Sequence, residues 1–277
     1  GISPKAESAI QEALLDIARY PDGNAFALRA VVANKFKLAP EQIVFGNGSN
    51  DILELAARAF LSSNAEVIYA QHAFAVYPLV TQAMGAHGVE VPAKDYAHDL
   101  PAMLAAITPK TRLIFIANPN NPTGTLLAKE ALLTFMQQVP KQVLVVLDEA
   151  YDEYLSAQDK SLAFSWLADF DNLIVSRSFS KAYGLAGLRI GFGACHPSVA
   201  DMMNRVRQPF NVNSVAQAAA IASLQDDDFV ARSYALNQAG MLQITQGLSQ
   251  LGLSFIPSYA NFVSFAVNEA AKVNQAL

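Results

Sequence analysis

The sequence is poor in cysteine and contains no long apolar run. Its 277 residues include a single cysteine, Cys195, so no disulfide can form within the chain, and this usage is typical of a reducing compartment. No apolar run approaches the roughly 20 residues that a membrane-spanning helix needs. The first residues also lack the charged and apolar regions of a signal peptide. We therefore expect a cytoplasmic protein that does not bind a membrane.

Charged residues are also scarce, at 16% of the chain, and acidic residues outnumber basic ones by 24 to 19. A net charge of −5 argues against the basic footprint of a nucleic-acid-binding protein. Hydrophobic residues make up 52% of the chain, which is enough to bury a sizeable core. The histidines show no spacing typical of metal ligands, so we expect no metal site; they are His72, His87, His98 and His196.

Short β-rich runs alternate with helical patterns along the first two thirds of the chain. The predicted strands are residues 42–45, 66–70, 88–91, 112–117, 142–147, 172–176 and 189–193. Helical patterns lie between them at 49–61, 74–84, 100–107 and 129–139, and later at 197–206, 215–224 and 228–251. This alternation predicts an α/β fold with a mostly parallel central sheet and helices on both faces.

Two further predicted strands, residues 253–256 and 262–266, suggest a second and smaller α/β domain. We therefore divide the chain into an N-terminal helix or arm over 1–25, a large ligand-binding domain over 26–227, and a connector helix with an incomplete small domain over 228–277. The last residues are good helix formers without a stop signal, so we expect further sequence beyond Leu277.

Four polar segments directly follow predicted strands, at residues 46–51, 118–124, 148–151 and 178–181. In a doubly wound sheet, ligands bind outside the carboxyl ends of the strands. Each segment also has an ordinary structural interpretation, as a helix cap, a proline-fixed turn, an aspartate cap or a solvated lysine. One segment alone therefore predicts little, and their combination carries the argument.

Together the four segments supply complementary chemical groups. Residues 46–51 begin a helix, whose first N–H groups can bind a phosphate. Asn121 precedes a proline and can present a fixed amide donor, while Asp148 is poorly solvated and needs a cationic partner such as a ring nitrogen. Lys181, followed eight residues later by Arg189, is suited to act as a nucleophile and base beside an anion-binding cation. A pyridoxal-phosphate (PLP) cofactor requires this set of groups.

The motifs at residues 118–124, 148–154 and 178–193, in this order, resemble those of fold-type I PLP-dependent aminotransferases. With residues 20–23 and 207–213, they are most similar to the histidinol-phosphate aminotransferase family, over essentially the whole chain. The resemblance implies the PLP-transferase fold of type I and a homodimer with the N-terminal arm at its interface. It also implies transamination of L-histidinol phosphate with 2-oxoglutarate in histidine biosynthesis.

The resemblance also assigns roles to individual residues. Lys181 would form the Schiff base with PLP and move the substrate proton, and Asp148 would pair with the ring nitrogen. Asn121 and Tyr151 would donate hydrogen bonds to the ring hydroxyl oxygen. The phosphate would be bound by Ser49, Asn50, Ser178, Ser180 and Arg189, with Phe74 stacked on the ring and Tyr20 reaching in from the neighbouring subunit. Phe74 can equally be a core residue.

Other functions remain open at this point. The same motifs fit another fold-type I PLP enzyme, such as an aromatic or aspartate-type aminotransferase or an amino-acid phosphate decarboxylase. A non-catalytic regulatory module that binds PLP is a third interpretation. Such modules are usually fused to a basic DNA-binding domain, and the sequence has no strongly basic region.

Overall fold

Seven strands form a single sheet in the computed structural model of the protein, which describes residues 1–276. The strands are β1 (Ile43–Gly46), β2 (Glu66–Ala70), β3 (His87–Val91), β4 (Thr111–Ala117), β5 (Leu144–Asp148), β6 (Leu173–Ser178) and β7 (Gly191–Cys195). Their order across the sheet is β1-β7-β6-β5-β4-β2-β3, and only the pairs made by β7 are antiparallel. The predicted α/β fold with a mostly parallel sheet is confirmed.

Helices surround this sheet on both faces. They are α1 (Pro4–Leu14), α2 (Phe26–Phe36), α3 (Ser49–Phe60), α4 (Val76–Ala83), α5 (Leu100–Ala105), α6 (Lys129–Gln138), α7 (Ala163–Trp166), α8 (Pro197–Val206), α9 (Ser214–Leu224), α10 (Asp227–Gln250) and α11 (Ala270–Ala276). No helix within residues 1–276 is both long enough and apolar enough to cross a membrane.

The central strands are mostly apolar because both of their faces are buried. In β4, Ile114 and Ile116 pack into one core cluster, while Leu113 and Phe115 pack into the other. In β5, alternate side chains divide in the same way. Alternation of side chains along a strand therefore gives the sheet two separate cores, and it leaves only the strand ends for polar groups.

The two strands predicted at residues 253–256 and 262–266 are wrong as regular strands. One isolated bridge pairs Phe255 with Phe265, and two further backbone hydrogen bonds flank it. A lone pair of extended segments gains little without a third strand beside it. The division of the chain into an arm, a large domain and a small domain stays a prediction, although α10 forms the long helix expected as the connector.

Two helices, α2 and the four-residue α7, were not predicted from the pattern. In α2 the apolar residues are spread around the axis, so the sequence shows no single buried stripe. Leu28 and Val32 are nevertheless fully buried, because the helix packs against α9. The last strand also lies two residues later than predicted. Arg189 turns the chain with a left-handed φ of 57°, and β7 begins only at Gly191.

Candidate active site

A cavity of about 210 Å³ lies where the carboxyl ends of β4, β5 and β6 meet the start of α3. It brings together every predicted site residue except Tyr20. Its lining consists of Ser49, Asn50, Phe74, Tyr77, Ala117, Pro119, Asn121, Asp148, Ala150, Tyr151, Ser178, Ser180, Lys181, Ala186 and Arg189. The parallel arrangement of the strands explains this convergence, since their carboxyl ends face the same edge of the sheet.

Asp148 ends the buried strand β5 and is only 6% exposed. Its Oδ2 accepts a hydrogen bond of 3.1 Å from the Tyr77 hydroxyl, whereas its buried Oδ1 has no hydrogen-bond partner in the part of the chain that the structure describes. Burial raises the pKa of Asp148 to about 6, although the Tyr77 hydrogen bond, the backbone N–H of Ala150 and the charge of Lys181 act in the opposite direction. The Asp148 Oδ1 could therefore accept a hydrogen bond from a cationic ligand.

Tyr77 is a site residue that the sequence reasoning missed. It lies on α4, is fully buried, and stacks on Phe115 with 4.6 Å between ring centroids. Burial and the neighbouring Asp148 raise the pKa of Tyr77 well above its ordinary value, so the phenol stays a hydrogen-bond donor. A signal for it did exist, because Tyr77 follows Phe74 by three residues in a predicted helix and so shares its face.

Tyr151 and Lys181 approach each other on the other side of the cavity. The Lys181 Nζ lies 5.3 Å from the centroid of the Tyr151 ring. The Asn121 amide donates a hydrogen bond of 3.1 Å to the Tyr151 hydroxyl, which leaves the phenolic hydrogen available to a ligand. Burial first, and then Asp148, raise the pKa of Tyr151 to about 12, so this hydroxyl is protonated at neutral pH.

Two glycines let Arg189 and the start of α3 come together. Gly48 precedes α3 with a φ of 84°, and a Cβ atom there would lie 2.1 Å from the Arg189 Nη2. A Cβ atom on Gly191 would lie 2.4 Å from the backbone nitrogen of Ser49. Arg189 Nη1 also donates a hydrogen bond of 3.3 Å to the Ser180 hydroxyl. A guanidinium, hydroxyl groups and a helix N-terminus therefore converge, which suits a phosphate.

Phe74 and Tyr20 occupy different surroundings. Phe74 is half-buried, lines the cavity and makes an edge contact with Tyr77, with 5.9 Å between ring centroids. Tyr20 lies outside the cavity lining, is 83% exposed and stacks on Phe210 with 4.8 Å between centroids. The structure thus places Phe74 where a planar ligand could stack on it, and it leaves Tyr20 away from the site of its own chain.

The histidines take no part in the cavity. His98 is buried, with its Nε2 3.0 Å from the backbone oxygen of Ala117 at the end of β4, and burial lowers its pKa to about 4. His98 is therefore a neutral brace beside the site. Within residues 1–276, no group of three or more His, Cys, Asp or Glu side chains is arranged to hold a metal ion.

Comparison with known proteins places this geometry in context. The sequence profile of the family described as aminotransferase class I and II matches residues 3–277. A histidinol-phosphate aminotransferase from Methylobacillus flagellatus is 74% identical over 277 residues, which cover 100% of this chain and 75% of that protein. Histidinol-phosphate aminotransferase 2 from Nitrosospira multiformis is 58% identical over 278 residues, covering 100% of this chain and 71% of that protein.

A solved structure is similar to the whole described fold. The histidinol-phosphate aminotransferase from Sinorhizobium meliloti, crystallised in complex with pyridoxal-5'-phosphate, superposes with a TM-score of 0.93. It is 30% identical in sequence, and the match covers 100% of this chain and 75% of that one.

Proposed function

The chain belongs to the class I and II aminotransferase family, and we propose that it transfers the amino group of L-histidinol phosphate to 2-oxoglutarate. It is a PLP-dependent aminotransferase, and the observation that carries this function is the cavity lined by both Lys181 and Asp148, in which the Asp148 Oδ1 has no hydrogen-bond partner among the described residues. The substrate is supported by the 74% identity to a histidinol-phosphate aminotransferase across the chain. 2-Oxoglutarate follows from the sequence resemblance alone.

The residues of the cavity fit PLP. A buried carboxylate oxygen without a partner is costly, and a cationic ring nitrogen would satisfy the Asp148 Oδ1 and lower the pKa of its carboxyl group. We assign the hydroxyl of Tyr151 and the amide of Asn121, which line the same cavity, to the ring hydroxyl oxygen. At the far end, Arg189 and the start of α3 match a phosphate. The carboxylate, the hydrogen-bond donors and the guanidinium thus follow one another in the same order as the ring nitrogen, the ring hydroxyl and the phosphate of PLP.

When bound, PLP supplies an electron sink for the negative charge that develops at the substrate Cα. In our assignment, the chain's own residues handle the proton and the orientation. Lys181 Nζ is the atom that would hold the cofactor covalently, and as a free amine it would take up the substrate Cα proton and return it. Asp148 Oδ1 would accept a hydrogen bond from the protonated ring nitrogen, and Tyr151 would donate one to the ring hydroxyl oxygen.

The remaining site residues hold the cofactor in place. We assign the phosphate to Arg189, Ser178, Ser180 and the first turn of α3, which begins with Ser49 and Asn50. Phe74 provides a flat apolar face for the ring. These groups would hold both ends of the cofactor, and none of them takes part in the proton transfer.

Reductive trapping and steady-state assays test this proposal together. Borohydride reduction of the PLP-loaded protein should leave a pyridoxyl mass on the peptide that contains Lys181. Lys160 is a useful internal control, because its Nζ pairs with Asp152 at 2.9 Å and it does not line the cavity. With 2-oxoglutarate as acceptor, kcat/KM should be higher for L-histidinol phosphate than for tyrosine, phenylalanine or aspartate. An adduct on Lys160, release of carbon dioxide, or a preference for an aromatic amino acid would contradict the assignment.

We also propose that the enzyme is a homodimer in which Tyr20 contributes to the site of the partner. The support is the position of Tyr20, which is 83% exposed and absent from the cavity lining of its own chain. The same segment exposes Leu15 and Ile17, which are 90% and 58% accessible. Exposed apolar side chains next to a residue with an assigned role suit a protein contact.

Mixed dimers test the contribution of Tyr20. Tyr20→Ala and Lys181→Ala should each be impaired alone. If Tyr20 acts across the interface, a mixed dimer has one doubly damaged site and one intact site, so random exchange restores about a quarter of the sites. Mixing Lys181→Ala with Asp148→Asn is the matched control, because both lesions affect the site of their own chain and no activity should return. If the Tyr20 mixture behaves like this control despite proven exchange, Tyr20 serves its own subunit.

For the location of the enzyme we propose the cytoplasm. The single cysteine, Cys195, is buried, and burial raises the pKa of its thiol to about 12, so it resists oxidation wherever the chain resides. The support is therefore only the low cysteine usage of the sequence. Cell fractionation with an antibody against the protein tests this proposal.

A further inference from the structure

Arg177 lies at the centre of a buried ion cluster next to the PLP cavity. It occupies β6 directly before Ser178, and strand alternation turns the two side chains to opposite faces of the sheet. The cluster comprises Arg177, Glu149, Asp152, Glu153 and Lys160. None of these side chains lines the cavity. The proposed PLP site uses the neighbouring residues Asp148 and Ser178, but it assigns no role to this cluster.

The Arg177 guanidinium reaches three carboxylates of one short segment. Its Nη2 lies 2.9 Å from the Glu149 Oε2, and Nε donates to the same oxygen at 3.0 Å. Nη1 donates to the Asp152 Oδ2 at 2.8 Å and to the Glu153 Oε1 at 3.3 Å. The Phe164 ring covers the guanidinium at 4.8 Å. A planar guanidinium can make all these contacts at once, whereas a lysine ammonium is a single point charge.

The charges show that Arg177 dominates this environment. Burial raises the pKa of Glu149 to about 7, and it also raises the pKa of Glu153. Burial alone would raise the pKa of Asp152 too, yet the charges of Arg177 and Lys160 hold it below its usual value. Three carboxylates around two cations leave one acid in excess. The guanidinium is therefore the group that keeps the segment in place against the repulsion among its own acids.

Residues 148–154 and residues 177–181 are the two segments that carry site residues, and the backbone pairing between β5 and β6 ends where these segments begin. Asp148 pairs with Ser176, and within residues 1–276 the last backbone hydrogen bond between the segments runs from Glu149 N to Ser176 O, at 2.9 Å. Beyond it, the chain after β5 bends into a short 3-10 turn over Asp152–Tyr154. Beyond the last backbone hydrogen bond, the side chain of Arg177 connects the two segments.

We propose that Arg177 is a positioning residue for the transamination site: it ties residues 148–154 to residues 177–181 and thereby sets the separation of Asp148 and Tyr151 from Lys181. This role rests on the proposed function. Arg177 touches neither PLP nor substrate, so its effect passes through the backbone of both segments. Small displacements of reacting groups lower rates strongly, by about 10²-fold for a shift of 1 Å.

The test compares Arg177→Lys with a core variant, Met103→Ala. Met103 is fully buried on α5, belongs to neither segment and lies outside the cavity lining, so its truncation should destabilise the fold without changing the ion cluster. Four quantities are measured: the thermal midpoint of the apoprotein, the Kd for PLP, the pH midpoint of the absorbance of bound PLP, and kcat. Arg177→Lys should weaken PLP binding at least about tenfold, lower kcat and move the pH midpoint. Met103→Ala should lower the thermal midpoint and leave the other three quantities within about twofold.

Asp152→Asn provides a second variant that is expected to fold. It is isosteric, and it leaves Arg177 and Lys160 balanced by Glu149 and Glu153. It should weaken PLP binding in the same direction as Arg177→Lys, by a smaller factor. Wild-type PLP affinity and an unmoved pH midpoint in either folded variant would overturn the positioning role. So would an equal change in Met103→Ala, or failure of Asp152→Asn to fold. If wild-type protein yields no PLP adduct on Lys181, the proposed function itself fails instead.

Discussion

Asp148 and Glu149 are consecutive carboxylates at the end of β5, yet their surroundings differ in kind. Both are buried, and burial raises the pKa of Asp148 to about 6 and that of Glu149 to about 7. Glu149 is satisfied by Arg177 and by the hydroxyl of Ser161. Asp148 receives one hydrogen bond from a neutral phenol, and its second oxygen stays without a partner within the described residues.

The difference separates a binding carboxylate from a structural one. A buried acid that serves the fold is paired by the chain itself, because an unpaired one is costly. A buried acid that serves a ligand leaves one position open until the ligand supplies the charge. Neither burial nor a raised pKa distinguishes the two. The completeness of their hydrogen bonding does.

Replacing each carboxylate by its amide is the strongest test of the difference between Asp148 and Glu149. Asp148→Asn should still bind PLP on Lys181 but lose about 10²-fold or more in kcat, because an amide cannot hold the proton of a ring nitrogen. The measurements are kcat with L-histidinol phosphate and the mass of the borohydride-trapped peptide.

Glu149→Gln is the matched control at the neighbouring position. Its amide oxygen can still accept from Arg177, so we expect only a small loss like that of Asp152→Asn, with kcat within about threefold of the wild-type value. Near wild-type kcat in Asp148→Asn would show that Asp148 is a structural residue as well, and the contrast between the two carboxylates would vanish.

The pH dependence of apoprotein stability should sharpen the same contrast. The pKa of Asp148 is raised in the folded state from 3.8 to about 6, so the folded protein binds this proton more tightly than the unfolded chain does. Below about pH 4 both states are protonated and nothing is lost. As the pH rises from about 4 to about 6, the unfolding free energy should fall by about 3 kcal/mol from this group, and it should level off above that range.

The difference between wild type and Asp148→Asn isolates that contribution. Glu149 and Glu153 also have raised pKa values and act with the same sign, but they are common to both proteins. Urea unfolding of the two apoproteins from pH 4 to pH 8 gives the comparison. Parallel curves would show that Asp148 is not a destabilised acid, and added PLP should remove most of the wild-type loss by pairing the carboxylate.

The sheet and most of the cavity could be predicted because their signals are local. Apolar runs ending in polar residues marked β4, β5 and β6, and the residues at those ends line one cavity. The partners of Asp148 and Glu149 could not be predicted in this way. Tyr77 lies 71 residues before Asp148, and Arg177 lies 28 residues after Glu149. Their pairing depends on which helix covers which strand end, and sequence periodicity does not contain that information.

Removing the hydroxyl of Tyr77 should have a smaller effect than either the Asp148→Asn substitution or the pH change. Tyr77→Phe keeps the ring stacked on Phe115 and deletes only the hydrogen bond to the Asp148 Oδ2. Since that bond lowers the pKa of Asp148, its loss should raise the pKa further and leave more of the carboxyl protonated near neutrality. We expect kcat/KM to fall about tenfold at pH 6 and less at pH 8, as for one hydrogen bond to a charged group.

Tyr69→Phe is the control for Tyr77→Phe, because Tyr69 is buried on β2 and does not line the cavity. It should leave the acid limb of the kcat/KM profile where it is, whereas Tyr77→Phe should move that limb to higher pH. A uniform loss at every pH in Tyr77→Phe would mean that the hydroxyl matters for packing and not for the charge of Asp148. Lys181 and the cofactor alone would then keep the Asp148 carboxylate ionised. The Tyr77 hydroxyl would not contribute to the difference between Asp148 and Glu149.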